Sequence, residues 1–253
     1  MTIFKSLFVM ALILGTCILP AAAQRQDTLR RKDAGGWEFM QVRDNDRITL
    51  EGNRLDGKQE GVWTVFWDVG FPHIITTYRA GQRNGPSYQF TRDGFTEVME
   101  NYKNDLLEGP RRTYKKGTGT VEEQYYSEGK KSGSYYKKYD NGQRQEESNY
   151  NEDVRDGKTL WYYENGEKAA EYNYRKGIID GDVTLYYNNG KVNEFGQYVQ
   201  DEQAGIWKEY YMNGNVKAEG IYKGGAKEGL WKQYNEDGTP AKPVTYRKGV
   251  VKK

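Results

Sequence analysis

Few residues of this chain are of the types that usually carry out catalysis. The sequence contains one histidine, His73, and one cysteine, Cys17. A Ser-His-Asp triad, a multi-histidine metal site or a thiol nucleophile therefore has at most one candidate residue each. His73 follows Pro72 in a stretch of strand character, where an ordinary position in a sheet is the favoured interpretation. We expect no enzyme activity, no cofactor and no metal ion.

Two pairs of adjacent glutamates, Glu122-Glu123 and Glu146-Glu147, are the remaining candidates for general acid and base chemistry. A glycosidase places its two carboxyl groups on either side of one glycosidic bond. Neighbours along a strand instead point to opposite faces of a sheet, and charged side chains on a sheet normally face solvent. The glutamate pairs are therefore predicted to be surface residues.

Aromatic side chains are the other group with binding potential, because they are enriched at interface hot spots. The chain has 22 tyrosines and 6 tryptophans. A set of aromatics that varies among similar segments is interpreted as a binding face: Trp63, Trp67, Trp161, Tyr163, Tyr187, Trp207, Tyr211 and Trp231. Such a face suits a protein partner, and rings at regular spacing also suit an envelope polysaccharide.

The elements that position these rings follow a period of 24 residues. Repeat glycines stand at Gly61, Gly85, Gly109, Gly133, Gly157, Gly181, Gly205 and Gly229. Seventeen residues after each comes a tyrosine, and these form the predicted structural ladder: Tyr78, Tyr102, Tyr126, Tyr150, Tyr174, Tyr198, Tyr222 and Tyr246. Self-similarity at a fixed period indicates a stack of supersecondary units that bury their surfaces against neighbours.

Two turn signals in each period leave runs that are the length of strands and too short for helices. Asn-Gly pairs such as Asn213-Gly214 predict a two-residue type I′ turn, and Gly225 to Glu228 a second turn of about four residues. These turns would set Trp207 opposite Gly220, and Tyr222 opposite Trp231. The fold predicted is all-β: one elongated, open-ended antiparallel sheet of successive β-hairpins with a running aromatic ladder.

The pattern G-x-W-x-x-Y-Y-x-N-G followed by Y-x-x-G-x-x-x-G resembles the MORN repeat family in its bacterial variant. The match is closest from Gly157 to Gly238 and weaker back to Gly61, where Ser87 and Arg111 replace the tryptophan. The resemblance implies a twisted sheet of hairpins and a scaffolding or binding role. Bacterial chains with such repeats often carry the label of YwqK-family antitoxin-like proteins.

The N-terminal segment, residues 1–23, is predicted to be a secretory signal peptide. Lys5 precedes the apolar run LFVMALILGTCILP, and Ala23-Gln24 is the expected cleavage site. A lipoprotein signal at Cys17 is the less favoured alternative. Residues 24–36 are predicted to be a flexible lead-in, residues 37–60 a degenerate capping repeat, and residues 61–253 the eight repeats. The mature chain would be periplasmic, on the cell surface or secreted.

The charge balance argues against polyanionic partners, since 38 basic residues meet 36 acidic ones. We therefore expect no nucleic acid and no direct membrane binding. The leading hypothesis is an exported, non-catalytic scaffold that binds a protein partner of unknown identity through its aromatic face. Two alternatives remain open: a cell-envelope glycan-binding protein, and an antitoxin or immunity protein that neutralises a toxin.

Overall fold

A computed structural model describes residues 26–252, and this part of the chain consists of strands and turns. Twenty-three strands form one antiparallel sheet in which hairpin follows hairpin along the sequence. The predicted all-β array is confirmed. In the described residues no helix is long and apolar enough to cross a membrane. The predicted signal peptide, with Cys17, lies outside those residues.

The strands cross the sheet in chain order. Where a strand is interrupted just before a repeat glycine, the short segment before the break and the strand after it pair with the same neighbour. The strands are β1 (Gln26–Lys32), β2 (Trp37–Asp44), β3 (Arg47–Leu55), β4 (Lys58–Phe66), β5 (Pro72–Arg79), β6 (Gln82–Phe90), β7 (Thr96–Lys103), β8 (Leu106–Leu107), β9 (Gly109–Lys115), β10 (Gly119–Ser127), β11 (Lys130–Lys138), β12 (Arg144–Asn151), β13 (Val154–Arg155), β14 (Gly157–Tyr162), β15 (Lys168–Arg175), β16 (Ile178–Ile179), β17 (Gly181–Tyr186), β18 (Val192–Val199), β19 (Glu202–Tyr210), β20 (Val216–Lys223), β21 (Ala226–Tyr234), β22 (Pro240–Arg247) and β23 (Val250–Val251).

The Asn-Gly turns differ from the predicted type I′ form. The amide of Gly142 donates to the carbonyl of Tyr139 at 2.9 Å, and the amide of Tyr139 donates to the carbonyl of Gln143 at 2.9 Å. This is a three-residue loop in which only Gly142 has positive φ, at 85°. Asn141 acts through its side chain instead, because its Oδ1 accepts from the amide of Gln143 and its Nδ2 donates to the carbonyl of Glu164.

The second turn of each repeat is the two-residue type. Gly224 and Gly225 both have positive φ, at 58° and 71°, and the flanking residues Lys223 and Ala226 pair directly. Where an aspartate replaces the second turn residue, its carboxylate binds the previous repeat. Asp105, Asp153 and Asp201 accept the backbone amides of Arg83, Lys131 and Ile179 at 2.9, 2.8 and 2.7 Å.

These turns correct part of the predicted register. Trp207 pairs with Gly220 as expected. Tyr222, however, pairs with Lys227 rather than Trp231, because the second turn is shorter than predicted and a bulge follows between Glu219 and Ile221. The rings of Tyr222 and Trp231 still meet edge to face, with centroids 5.3 Å apart, so the aromatic ladder forms across the bulge.

Repeat glycines and ladder tyrosines are backbone partners. Every repeat glycine has positive φ and pairs with the tyrosine seventeen residues later, as Gly205 does with Tyr222. The same pairing holds in the other repeats: Gly61 with Tyr78, Gly85 with Tyr102, Gly109 with Tyr126, Gly133 with Tyr150, Gly157 with Tyr174, Gly181 with Tyr198 and Gly229 with Tyr246. Glycine suits the position because left-handed backbone is costly for other residues.

The core lies on one face of the sheet, here called the tryptophan face after Trp63, Trp207 and Trp231. Each of these rings lies flat against a glycine of the preceding strand. A Cβ atom on Gly220 would come within 2.4 Å of the Trp231 ring, and one on Gly196 within 2.2 Å of the Trp207 ring. A one-layer sheet can bury an indole in this way because the strand itself covers one side of the ring.

The residue two positions after each repeat glycine occupies the same place in every repeat, and its partner eleven positions earlier complements it. Both members change together along the chain. The pairs are Trp63 over Gly52, Ser87 with Thr76, Arg111 with Glu100, Tyr135 with Gln124, Trp207 over Gly196 and Trp231 over Gly220. The core therefore has tryptophan at its two ends, and between them come the hydrogen-bonded pairs of Ser87 with Thr76 and Arg111 with Glu100, followed by Tyr135, Thr159 and Val183.

The N-terminal boundary differs from the expectation of a flexible lead-in. Residues 26–32 form β1, which pairs with β2 from Gln26 opposite Asp44 to Lys32 opposite Glu38. This strand has no apolar pattern because every residue of β1 is exposed and the strand is held by backbone hydrogen bonds. Asp33 closes the hairpin, since its Oδ1 accepts from the amides of Gly35 and Trp37.

We expect Gly220→Ala to lower the free energy of unfolding by about 2 kcal/mol, since the new methyl group overlaps the Trp231 ring and a packed core tolerates added volume poorly. Urea denaturation of the purified protein measures the change. Gly35→Ala is the matched control: like Gly220 it has no positive φ, and the nearest atom to its added Cβ, Asp33 Oδ1, lies at an ordinary contact distance of 3.4 Å. If the two variants lose equal stability, the ring contact does not govern Gly220.

Candidate functional site

The three tryptophans two residues after a repeat glycine are the interior of the protein. Trp63, Trp207 and Trp231 are 3%, 2% and 0% exposed. Trp231 lies over Gly220, its ring contacts Tyr222 and Tyr246 edge to face, and Lys227 Nζ lies 3.8 Å from its centroid. The prediction that these three rings form a contact surface is therefore corrected, because no partner can reach a ring enclosed in this way.

A second group of the predicted aromatics forms a row beside the three-residue turns, at the ends of the strands. We call this row the edge ladder, as distinct from the ladder tyrosines. Tyr163, Tyr187 and Tyr211 each donate a hydroxyl hydrogen bond, at 2.7 to 2.9 Å, to the carbonyl 23 residues later. Trp67 stands in the same register and donates its Nε1–H to the carbonyl of Phe90 at 3.0 Å. Their polar atoms join one repeat to the next, and all four side chains are half-buried.

Trp161 and His73 complete the set of candidates. Trp161 stands four residues after its repeat glycine and meets Tyr172 edge to face, with centroids 5.3 Å apart. Trp161 lies on the tryptophan face of the fifth repeat, in which Thr159 takes the place of the buried tryptophan. His73 stacks on Trp67 at 3.7 Å in β5. Each contributes to packing, and Trp161 remains half-exposed.

The ladder tyrosines lie between successive core residues. Trp207 is flanked by Tyr198 and Tyr222, with ring centroids at 5.6 and 5.3 Å. Burial, followed by the nearby carboxylates of Glu209 and Glu194, raises the pKa of Tyr222 to about 12. Its hydroxyl therefore stays protonated at physiological pH.

The glutamate pairs lie on opposite faces, as the strand alternation predicts. Glu146 accepts hydrogen bonds from Ser148 and Arg155 on the tryptophan face. Glu147 is bound by Arg144 and by the hydroxyl of Tyr162 on the other face. Neighbouring carboxylates thus never approach one substrate together. Within residues 26–252, no three histidine, cysteine, aspartate or glutamate side chains are grouped so that they could hold a metal ion.

The opposite face is held by carboxylates that each bind several donors. Glu171 accepts from Lys158 and Lys168 at 2.5 Å and from the Tyr186 hydroxyl at 3.0 Å. Burial alone would raise the pKa of Glu171, but these hydrogen bonds outweigh it and lower the pKa to about 2. Glu219 has the same arrangement with Lys208, Lys232 and Tyr234.

An exposed apolar patch lies on this opposite face near the C-terminal end of the array. Ile206, Ile221 and Leu230 are 66%, 52% and 58% exposed. With Lys208, Glu219 and Lys232 they line a shallow depression of about 380 Å³. We call these three apolar residues the isoleucine patch. The sequence interpretation missed it, although Ile206 and Leu230 directly precede buried tryptophans and must therefore face away from them.

Comparison with known families agrees with the repeat pattern. Residues 155–176, 179–200, 203–223 and 227–248 each match the family described as the MORN repeat variant. The resemblance predicted from the glycine and tyrosine registers is confirmed over this part of the chain. A search of curated proteins found no match.

Removing one hydroxyl from the edge ladder tests whether it is structural. Tyr211→Phe should destabilise the protein by about 1 kcal/mol, because the carbonyl of Tyr234 loses its donor while the ring keeps its packing. Thermal or urea unfolding measures this. Tyr210→Phe, one residue away, is the control. An equal loss of unfolding free energy in both variants would show that the hydrogen bond between repeats does not stabilise the fold.

The lowered pKa of Glu171 predicts a specific acid sensitivity. Because its pKa in the folded state, about 2, is below the usual value of 4.5, its stabilising contribution is complete above pH 4.5 and lost as the pH falls toward 2. Between pH 7 and pH 2.5 the free energy of unfolding of Glu171→Gln should therefore fall by on the order of 1 kcal/mol less than that of the unmodified protein, after allowance for solvent screening. Unfolding free energies measured from pH 7 to pH 2.5 test this.

Glu194→Gln is the control of opposite sign. Burial and then the carboxylate of Glu209 raise the pKa of Glu194, so protonation of this residue favours the folded state as the pH falls. Its replacement should steepen the loss of stability in acid. If both variants change the pH profile in the same direction, the ionic contacts around Glu171 do not control acid unfolding.

Proposed function

We propose that this chain, whose residues 155–248 are MORN variant repeats, is a non-catalytic scaffold that binds a protein partner. The isoleucine patch is the observation that supports the proposal. Contiguous exposed apolar residues surrounded by polar groups are characteristic of protein interaction sites. The surface that we assign differs from the one expected from sequence, because the rings of Trp63, Trp207 and Trp231 are buried in the core.

The patch is open to a partner and firmly supported from beneath. Ile206 pairs with Ile221 across β19 and β20, and Leu230 follows in β21, so the three side chains form one apolar area across adjacent strands. The backbone below them is fixed by Trp207 and Trp231 on the other face. A rigid apolar area of this kind costs little conformational entropy on binding.

The charges around the patch indicate the chemistry of the partner. Lys208 and Lys232 both bind the single carboxylate of Glu219, at 3.4 and 3.1 Å, which leaves one excess positive charge beside the apolar centre. The complementary surface is an apolar protrusion with an acidic rim. The partner is therefore a protein segment of that composition.

Export forms part of the same proposal. The charge at Lys5, the apolar run that follows it and Ala21-Ala22-Ala23 support cleavage before Gln24. The partner would then lie in the cell envelope or outside the cell. The intact mass of the protein recovered from the envelope fraction tests this, because a mass that still includes residues 1–23 contradicts cleavage.

We expect Ile206→Asp to abolish binding of the partner, since a carboxylate at the centre of the patch cannot be desolvated against an apolar surface. Val62→Asp is the matched control, because Val62 occupies the same position in the first repeat and is 54% exposed. Immobilised variants are exposed to an envelope extract, and the captured protein is purified and titrated by calorimetry.

The expected result is one protein, rich in acidic residues at its contact segment, that binds the unmodified chain and Val62→Asp equally and binds Ile206→Asp at least a hundredfold more weakly. Equal binding to both variants would remove the isoleucine patch from the proposal. Self-association that Ile206→Asp abolishes, seen by sedimentation, would replace the partner with a second copy of the chain.

A further inference from the structure

The second repeat lacks the indole that fills the core in the first, seventh and eighth repeats. Ser87 stands where Trp63, Trp207 and Trp231 stand in those repeats, and a pocket of about 280 Å³ opens on the tryptophan face at that place. The two ladder tyrosines beside it, Tyr78 and Tyr102, are both retained in its wall. The pocket is thus a gap at the place where an indole lies in those three repeats, between two ladder tyrosines that are kept.

The floor of the pocket is polar. Thr76 Oγ1 and Ser87 Oγ are 2.9 Å apart and share one hydrogen bond, which leaves one hydroxyl proton free to donate to a ligand. Glu100 accepts from the Tyr102 hydroxyl at 2.6 Å and from Arg111 Nε at 2.9 Å. A carboxylate has about four acceptor sites, so Glu100 retains capacity for two more donors.

The walls combine aromatic and apolar surface. Arg83 stacks over the Tyr102 ring with its guanidinium carbon 4.0 Å from the centroid, and Ile74 and Val98 complete the lining. Burial, then the hydrogen bond to Glu100, raises the pKa of Tyr102 to about 12, so its hydroxyl keeps its proton and stays a donor to Glu100.

The charges in the pocket are balanced. Arg111 neutralises Glu100, and Arg83 is paired with Asp105 at 3.2 Å. A ligand that carries a net charge would therefore disturb existing ion pairs without finding a free counter-ion. The volume of about 280 Å³ lies just below the range of ordinary small-ligand pockets, about 300–1,000 Å³, and suits one ring.

An aromatic side chain of a partner does not fit as Trp231 fits in its own repeat. The floor residue there is Gly220, and a Cβ at that position would lie within 2.5 Å of the indole. Thr76 occupies the corresponding floor position here and carries both a Cβ and a hydroxyl. A flat ring cannot reach the strand, whereas a ring with hydroxyl groups can be held above it by hydrogen bonds.

We propose that the pocket between Tyr78 and Tyr102 binds one neutral pyranose ring. One C–H face of the sugar lies against the Tyr78 ring, Glu100 accepts from two of its hydroxyls, and the Thr76–Ser87 pair donates to a third oxygen. This site is on the face opposite the isoleucine patch and does not depend on the function proposed for that patch.

The test is titration of the purified protein with the methyl glycosides of glucose, galactose, mannose and N-acetylglucosamine, followed by saturation-transfer NMR and calorimetry. N-acetyltryptophanamide serves as the competing aromatic probe. We expect saturable binding of at least one glycoside with a Kd below about 10 mM, and weaker or no binding of the aromatic probe.

The double variant Thr76→Gly/Ser87→Trp fills the pocket with the residue pair of the seventh and eighth repeats. It should fold with an equal or higher melting temperature and bind the glycoside at least tenfold more weakly. Thr76→Val, which keeps the volume and removes one hydroxyl, should weaken binding severalfold even if the double variant does not fold.

Ile206→Asp is the control for the opposite face and should bind the glycoside as the unmodified protein does. The proposal is overturned if no glycoside binds saturably, if the aromatic probe binds more tightly than every sugar, or if Thr76→Val binds without loss. Each of these results leaves the role of the isoleucine patch unaffected.

Discussion

A sheet of one layer has no second layer to pack against, and this constraint determines where every large side chain lies. The solution in this chain is an indole laid flat on a glycine of the neighbouring strand, with tyrosine rings meeting its edges. The strand covers one side of the ring and long side chains such as Lys227 cover the other. Burial of Trp231 to 0% exposure shows how complete this enclosure is.

The two faces consequently have different tasks. The tryptophan face provides the apolar burial, and the opposite face is fixed by carboxylates such as Glu219 that bind two lysines and a tyrosine hydroxyl. Surface features arise where this division is relaxed. The isoleucine patch places apolar residues on the solvent face, and the pocket at Ser87 places a gap in the buried one.

The repeat length, the strand class and the pairing of Trp207 with Gly220 could be predicted from the sequence because they depend on spacing alone. The turn types could not, since Asn-Gly fits both a type I′ turn and the three-residue loop, and the contact of the Asn141 side chain with the next repeat, which accompanies the loop, is not visible in the spacing. The burial of the tryptophans could not be predicted from the spacing of the repeats either. Whether a ring is a core residue or a contact residue depends on what lies across the strand, and the complementary glycine eleven positions earlier was the signal that could have revealed it.

The carboxylates at the two-residue turns set a longer repeat than the strands do. Asp105, Asp153 and Asp201 bind the preceding repeat through its backbone amide, whereas Gly129 and Gly177 stand at the turns between them, with Gly81 before and Gly225 after. Successive aspartates are 48 residues apart, so along this edge the building block is a pair of hairpins. A chain that gains or loses one hairpin within this run places two like turns side by side, whereas exchange of a pair leaves the alternation intact. Duplication of an even number of hairpins therefore preserves the alternation of aspartate and glycine turns, and needs no compensating substitution at these turns.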